Sequence, residues 1–259
     1  MADVARLCYF RPMNAGASSD YLSLIQEINS CTLCALSQSR TNAVPGEGNP
    51  HADIMFIGEA PGANEDRQGR PFIGAAGTVL DNMLAVIGLD RSDVYICNMI
   101  KCRPPDNRDP QPSEMDTCRP YLDRQIELID PKVIVTLGRH SFGKFFAGET
   151  ISKARGRPRE WNGRIVFPVY HPAATLHNPR LKPVLEEDFR KLPSLIGAHL
   201  PQETPKPEAQ PERQGTTPST TQPSQTQLGM NFDSAGSDPA TPRETEAETP
   251  KQSSQGELF

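Results

Sequence analysis

The 259-residue chain has no apolar run long enough to cross a bilayer, and its N-terminus has no signal-peptide pattern. The expectation is a soluble, intracellular protein. Aromatic residues make up only 6% of the chain, with a single Trp. Residues 201–259 are poorer still: they hold only Phe232 and Phe259 against nine prolines, amid many Gln, Ser, Thr and Glu. Such a stretch buries too little apolar surface to offset its ordering entropy and reads as a disordered tail. Residues 1–200 also lack net charge, with 23 basic and 23 acidic side chains. The tail carries 4 basic and 9 acidic residues and supplies the whole formal charge of −5. The acidic balance therefore says nothing against nucleic-acid binding by the folded part. There is no internal repeat. Cysteines number six, which in an intracellular protein argues for metal or redox use over disulfides.

Four short continuous apolar runs are present: "DIMFI" (53–57), "VYICN" (94–98), "VIVTL" (133–137) and "IVFPV" (165–169). They read as strands buried on both faces. Helical patterns fall at about 20–29, 77–88, 113–129, 139–146 and 183–196. The alternation predicts an α/β domain with a mainly parallel sheet, whose ligands sit beyond the carboxyl ends of the strands. Those ends carry "GEAPGANED", "NMIKCRPPDNR", "GRHS" and "YHPAATLHNP".

After the first strand comes "GEAPGANEDRQGRPFIGAAG" (Gly58–Gly77), rich in glycine and carboxylates, with no G-x-G-x-x-G and no G-K-[ST]. Phosphate binding is thus a poor account of it. Cys31 and Cys34 form a C-x2-C pair, and Cys102 and Cys118 a C-x15-C pair. A bare four-cysteine pattern suggests structural zinc first. The wide second pair is unlike a zinc ribbon and leaves room for an iron–sulfur cluster. Cys97, inside a strand, reads as a small buried hydrophobe; Cys8 falls outside the pattern.

Taken in order, the Gly58–Gly77 stretch, "NMIKCRPPDNR", "HPAATL" and the four cysteines resemble the family-4 uracil-DNA glycosylases, the iron–sulfur members of that superfamily. The likeness covers about residues 20–197. It implies a three-layer α/β/α fold with a four-stranded parallel sheet over residues 20–199, between an N-terminal segment 1–19 of unknown role and the tail 200–259. It implies a [4Fe-4S] cluster on Cys31, Cys34, Cys102 and Cys118, which displaces zinc to the lesser alternative. The implied activity is hydrolysis of the N-glycosidic bond of uracil flipped out of DNA, leaving an abasic site in base-excision repair. No lysine is placed as a Schiff-base nucleophile. Two alternatives remain: a glycosylase for a broader set of deaminated bases, and a non-catalytic iron–sulfur DNA-binding protein.

The resemblance carries over to residues. Phe72 matches the aromatic that stacks on uracil. Asn98 matches the residue that reads its Watson–Crick edge, since an amide both donates and accepts. His171 matches the His near O2, where charge develops on the leaving base. Gly58 and Ala60 belong to the turn whose backbone approaches the flipped base; Ala60 stands where other superfamily members carry a catalytic Asp. That shifts the acid role to Glu59, with Glu65 and Asn107 as a supporting pair. "KARGRPREWNGR" (153–164) reads as a basic hairpin or loop for phosphates, with Lys153, Arg155 and Arg157 as candidates. Lys101, Arg103 and Arg108 are further basic candidates beside the cysteines. Leu176 is the apolar candidate to fill the vacated base stack. In the tail, "QLGMNF" (Gln227, Met230, Phe232) and "QGELF" (Gln255, Leu258, Phe259) resemble sliding-clamp-binding peptides of bacterial type. A monomer in the bacterial cytoplasm, associated with the nucleoid, is expected.

Overall fold

A computed structural model of the chain describes residues 15–196. The tail motifs Gln227, Met230, Phe232, Gln255, Leu258 and Phe259 lie outside the described residues, as does Cys8. In chain order the elements are α1 (Ala15–Ser30), α2 (Leu36–Ser39), β1 (Glu47–Gly48), β2 (Ile54–Gly58), α3 (Ala63–Gln68), α4 (Ala75–Val86) and β3 (Tyr95–Asn98). A 3-10 turn (Pro105–Asn107) follows, then α5 (Pro112–Ile129), β4 (Val133–Leu137), α6 (Arg139–Gly143), α7 (Ile151–Ala154), β5 (Arg159–Trp161), β6 (Arg164–Val169), α8 (Pro172–His177) and α9 (Leu181–Leu195).

The sheet has the order β1-β3-β2-β4-β6-β5. Its centre, β3-β2-β4-β6, is parallel and consists of the four strands read from the apolar runs. The sheet is wider than the four strands expected, because β1 and β5 add antiparallel edges. Both are too short to show an apolar pattern, and their residues are half-buried or exposed.

The pleat sorts side chains between two cores. Ile54 and Phe56 of β2, with Val133 and Val135 of β4, face Leu80, Met83 and Leu84 of α4 and Leu185, Phe189 and Leu192 of α9. The Phe56 and Phe189 rings stack at 5.6 Å. Met55 and Ile57, with Ile134 and Val166, face Leu122, Ile126 and Ile129 of α5. Helices thus cover both faces, which gives the three layers and explains why the strands read as unbroken apolar runs. Each such buried side chain contributes about 1.5–3 kcal/mol.

From β2 the chain passes to β3 on one side of it, whereas β4 lies on the other side. A crevice therefore opens at the carboxyl ends of β2 and β4, where this class of sheet binds ligands. The segments after β2, β3, β4 and β6 begin at Glu59, Met99, Gly138 and Tyr170, so residues far apart in sequence meet at one rim.

Candidate active site

Gly58 closes β2 against two side chains. A Cβ there would lie 2.3 Å from Asn98 Oδ1 and 2.5 Å from Phe72 Cζ; only glycine lets these groups come so close. Asn98 is 1% exposed at the end of β3, and its Oδ1 has no hydrogen-bond partner. An unpaired buried acceptor costs about 1–3 kcal/mol and calls for an explanation.

Phe72 belongs to the core cluster and also reaches the site, its ring 5.7 Å from that of His171 and tilted by 30°. Its backbone is left-handed, with φ +51°, which is uncommon for a bulky residue. Three contacts hold it there. Arg91 donates to the carbonyls of Pro71 and Phe72 at 2.5 and 3.0 Å. Gly77 lets the first turn of α4 press on the Phe72 carbonyl, since a Cβ would lie 1.8 Å from that oxygen. Glu65 Oε1, from α3, accepts from the N–H groups of Ile73 and Gly74, both at 2.9 Å.

Glu65 is thus spent on the loop backbone. Asn107 instead accepts from Arg103 Nε at 2.8 Å. The two share no hydrogen bond among the described residues. α3 orients Glu65 toward its own loop, whereas the 3-10 turn orients Asn107 toward Arg103.

His171 caps α8: its Nδ1 accepts from Ala173 N–H at 3.1 Å. With Nδ1 accepting, the proton of the neutral ring sits on Nε2. Burial lowers the His171 pKa to about 4, so the ring stays neutral near pH 7 and presents an Nε2–H donor.

Glu59 follows β2 and meets the segment after β4. Its Oε2 lies 3.7 Å from His140 Nε2, which is 3.4 Å from Asp109 Oδ2. Arg139 donates from Nε to His140 Nε2 at 2.9 Å and from Nη2 to Asp109 Oδ2 at 2.7 Å. Burial raises the Glu59 pKa; His140 pulls it back, Asp109 pushes it further up, and Arg139 pulls it back. His140, Asp109 and Arg139 were not singled out in the sequence. The signal available was the strand-end "GRHS", but only the β2–β4 crevice reveals which carboxylates it meets.

The four predicted cysteines line one pocket, with Ile28, Ser37, Arg40, Lys101, Thr117 and Tyr121. Arg40 Nη1 donates to Cys102 Sγ at 2.9 Å, and the Lys101 N–H donates to Cys118 Sγ at 3.3 Å. Burial pushes the Cys118 thiol up to about 11, so thiolates at this depth need a compensating cation. The one set of three or more ligand atoms mutually within 4.8 Å among the described residues is Glu59, Asp109 and His140.

The profile of the uracil DNA glycosylase superfamily matches residues 45–192. The chain is 56% identical over 180 residues to the type-4 uracil-DNA glycosylase of Sulfurisphaera tokodaii, covering 66% of this chain and 82% of that protein. It is 46% identical over 176 residues to the type-4 uracil-DNA glycosylase of Thermotoga maritima, covering 66% of this chain and 92% of that protein. The chain belongs to the type-4 uracil-DNA glycosylase family. A type-5 uracil-DNA glycosylase of Thermus thermophilus is more distant, at 36% identity over 111 residues. The relatives are archaeal as well as bacterial and give no support to a bacterial-type assignment. Among the described residues no helix is long and apolar enough to cross a membrane.

Only part of the basic segment 153–164 is a hairpin: β5 and β6 are joined at Asn162 and Gly163, both with positive φ, whereas Lys153 lies at the end of α7 and Arg155 and Arg157 in the turn that follows it. Its charges are not equivalent. Arg155 Nη1 bonds the Oδ2 of Asp188, a wholly buried carboxylate, at 2.7 Å, and Arg155 lies over the Tyr170 ring at 5.4 Å. Arg155 is thus committed to α9 rather than presented to phosphates. Arg159 pairs with Glu149 and Arg164 with Asp130. Lys153 and Arg157 show no side-chain ion pair or hydrogen bond among the described residues. Beside the cysteines, Arg108 pairs with Glu114 at 2.6 Å, and Lys101 is 1% exposed. Lys101 therefore cannot meet a phosphate at the surface. Leu176 is 48% exposed on α8.

Proposed function

We propose that this chain is a monofunctional glycosylase that binds uracil flipped out of DNA and hydrolyses its N-glycosidic bond, leaving an abasic site. The carrying observation is the buried, unpartnered Asn98 Oδ1 beside Gly58 and Phe72. An incoming N3–H would satisfy it while the amide N–H2 meets O4, a pairing that uracil offers and cytosine does not. Flipping costs a few kcal/mol, which stacking on Phe72 and these hydrogen bonds offset. The backbone of Gly58 and Ala60 borders the base.

As the bond breaks, the base gains negative charge and the sugar becomes cation-like. The neutral His171 donates from Nε2 toward O2 and stabilises that charge without first losing a proton. The methyl side chain of Ala60 cannot activate water. Glu59, held between burial and the His140–Arg139 pair, positions the water or faces the sugar cation as carboxylate. Glu65 keeps the Phe72 loop in place and does not touch the reacting atoms. Lys153 and Arg157 supply salt-dependent phosphate affinity, and Leu176 stands ready to fill the gap in the stack.

Cys31, Cys34, Cys102 and Cys118 hold a [4Fe-4S] cluster in this reading, supported by the pocket they share and by the chain's place in the type-4 family. Its contribution is to fix the loops around α2, β3 and α5; the hydrolysis itself is carried by the side chains named above. The tail motifs keep the reading of a sliding-clamp tether, tested by clamp pull-down with residues 225–259 deleted.

The activity is tested by uracil release from an end-labelled oligonucleotide, with thymine and hypoxanthine controls. Uracil release lost in Glu59→Ala and His171→Ala supports the reading. Hypoxanthine released as well as uracil favours the broader glycosylase, and no release by a chain with full iron content favours the non-catalytic DNA-binding protein.

A further inference from the structure

Lys101 lies three residues after Asn98 and points inward. Its Nζ donates to the Asn98 carbonyl at 2.7 Å and to Gln125 Oε1 at 2.6 Å. Both acceptors are neutral. The Cys97 thiol beside it gives no anion either: burial pushes its pKa up, and Lys101 draws it only partly back. Among the described residues no carboxylate forms an ion pair with this ammonium. A buried cation without a counter-charge is costly, and natural proteins seldom leave one uncompensated.

The missing negative charge has a place. Lys101 lines the same pocket as the four thiols, and its backbone N–H donates to Cys118 Sγ. A thiolate-ligated iron–sulfur group is anionic. Arg40 meets that pocket through Cys102 and ties down the carbonyls of Asn29 and Cys31, both at 2.9 Å, with no bond to Asn98. Of the two basic residues lining the pocket, Lys101 is the one whose side chain also grips the residue proposed to read the base.

We propose that Lys101 is a positioning residue that couples the metal pocket to base recognition: its ammonium takes its counter-charge from the thiolate-bound group and in turn fixes the Asn98 carbonyl. The inference rests on the uracil-reading role proposed for Asn98 and on the cysteines holding a cluster. It gives the metal group a consequence for affinity, beyond ordering nearby loops. When that charge is absent, Lys101 has no reason to stay buried, and Asn98 loses the contact that sets its orientation.

The test measures free-uracil affinity by titration together with iron and sulfide content per chain, on the full chain. Lys101→Met keeps length and removes the charge; Lys132→Met, the same change at an exposed lysine paired with Asp53, is the control. At matched iron content, Lys101→Met binds free uracil at least tenfold more weakly than the wild type, while Lys132→Met stays within twofold. Stripping iron from the wild type with a chelator produces a similar loss, and stripping it from Lys101→Met adds little. Wild-type affinity in iron-loaded Lys101→Met overturns the proposal, as does full affinity in the iron-free wild type. Should Lys101→Met fail to fold, Lys101→Gln takes its place in the same comparison, because iron stripping alone also undoes the loop ordering. A wild type that releases uracil yet shows neither dependence refutes the coupling only; a wild type with full iron that neither binds nor releases uracil refutes the function and the coupling with it.

Discussion

Replacing Gly58 with Ala adds one methyl group where the site has no room for it. The new Cβ would sit 2.3 Å from Asn98 Oδ1 and 2.5–2.7 Å from the Phe72 ring, against an ordinary contact of about 3.5–4 Å. Both neighbours must yield by about an ångström. Neither has solvent to swing into, because Asn98 is 1% and Phe72 5% exposed. The overpacking costs about 1–3 kcal/mol, or a fall in melting temperature of about 2–4 °C per kcal/mol for a domain of this size. The larger effect is on the reaction, where a misplacement of about 1 Å costs about 100-fold. Gly143→Ala is the control: it is the same chemical change, with nothing within 4 Å of the new Cβ. Single-turnover uracil release and thermal unfolding are measured side by side. Gly58→Ala is expected to fold and to lose about 100-fold in rate, with Gly143→Ala unchanged. A folded Gly58→Ala within threefold of wild type refutes the close packing of Asn98 and Phe72 as the basis of recognition.

Glu65→Ala strands the N–H groups of Ile73 and Gly74, at about 1–3 kcal/mol each; it should lower the melting temperature and raise KM, while Glu65→Gln, which keeps the acceptor oxygen, restores most of both. His171 has a folded pKa of about 4 against about 6.5 unfolded, so between these values the unfolded chain binds more protons. Its contribution to stability is complete above pH 6.5 and is lost as pH falls toward 4; urea unfolding at pH 7.5, 5.5 and 4.5 should show a shallower loss in His171→Asn. Lys153→Ala and Arg157→Ala should each reduce the salt slope of DNA binding by about one. Arg155→Met should instead destabilise the fold by about 3–5 kcal/mol, because it strips a hydrogen-bonded partner from the buried Asp188; Lys191, 3.1 Å from that carboxylate, places the loss at the lower end. Equal salt slopes in all three variants would contradict the division between paired and unpaired charges.

The central strands were legible because β2, β3, β4 and β6 are buried on both faces and so read as unbroken apolar runs. α5 and α9 were legible from their periodicity. α3 was hidden inside "GANEDRQG", whose glycines and acids resemble a loop, although Gly62 and Gly69 flank it as caps. α8 was hidden for a similar reason, since a six-residue helix opened by a proline has no period to detect. Phe72, Asn98 and His171, the residues proposed to recognise the base, are the ones the family motifs mark, and the fold brings them to one rim. Charge was the least legible property. Lys101, Arg108 and Arg155 look alike in sequence as basic residues near a nucleic-acid surface. Only the placement of Gln125, Glu114 and Asp188 reveals that each is turned toward the protein. His140 was missed because its significance lies in Glu59 and Asp109, which reach it from other segments.

The claim that Asn98 Oδ1 awaits a donor from the base is tested most directly by comparing the affinities of 1-methyluracil and 1,3-dimethyluracil. The first keeps the N3–H and blocks N1 as the sugar does; the second cannot donate at N3. The account predicts that 1-methyluracil binds and that the dimethyl compound binds at least tenfold more weakly, with the difference abolished in Asn98→Ala. Equal binding of the two ligands by the wild type would contradict it.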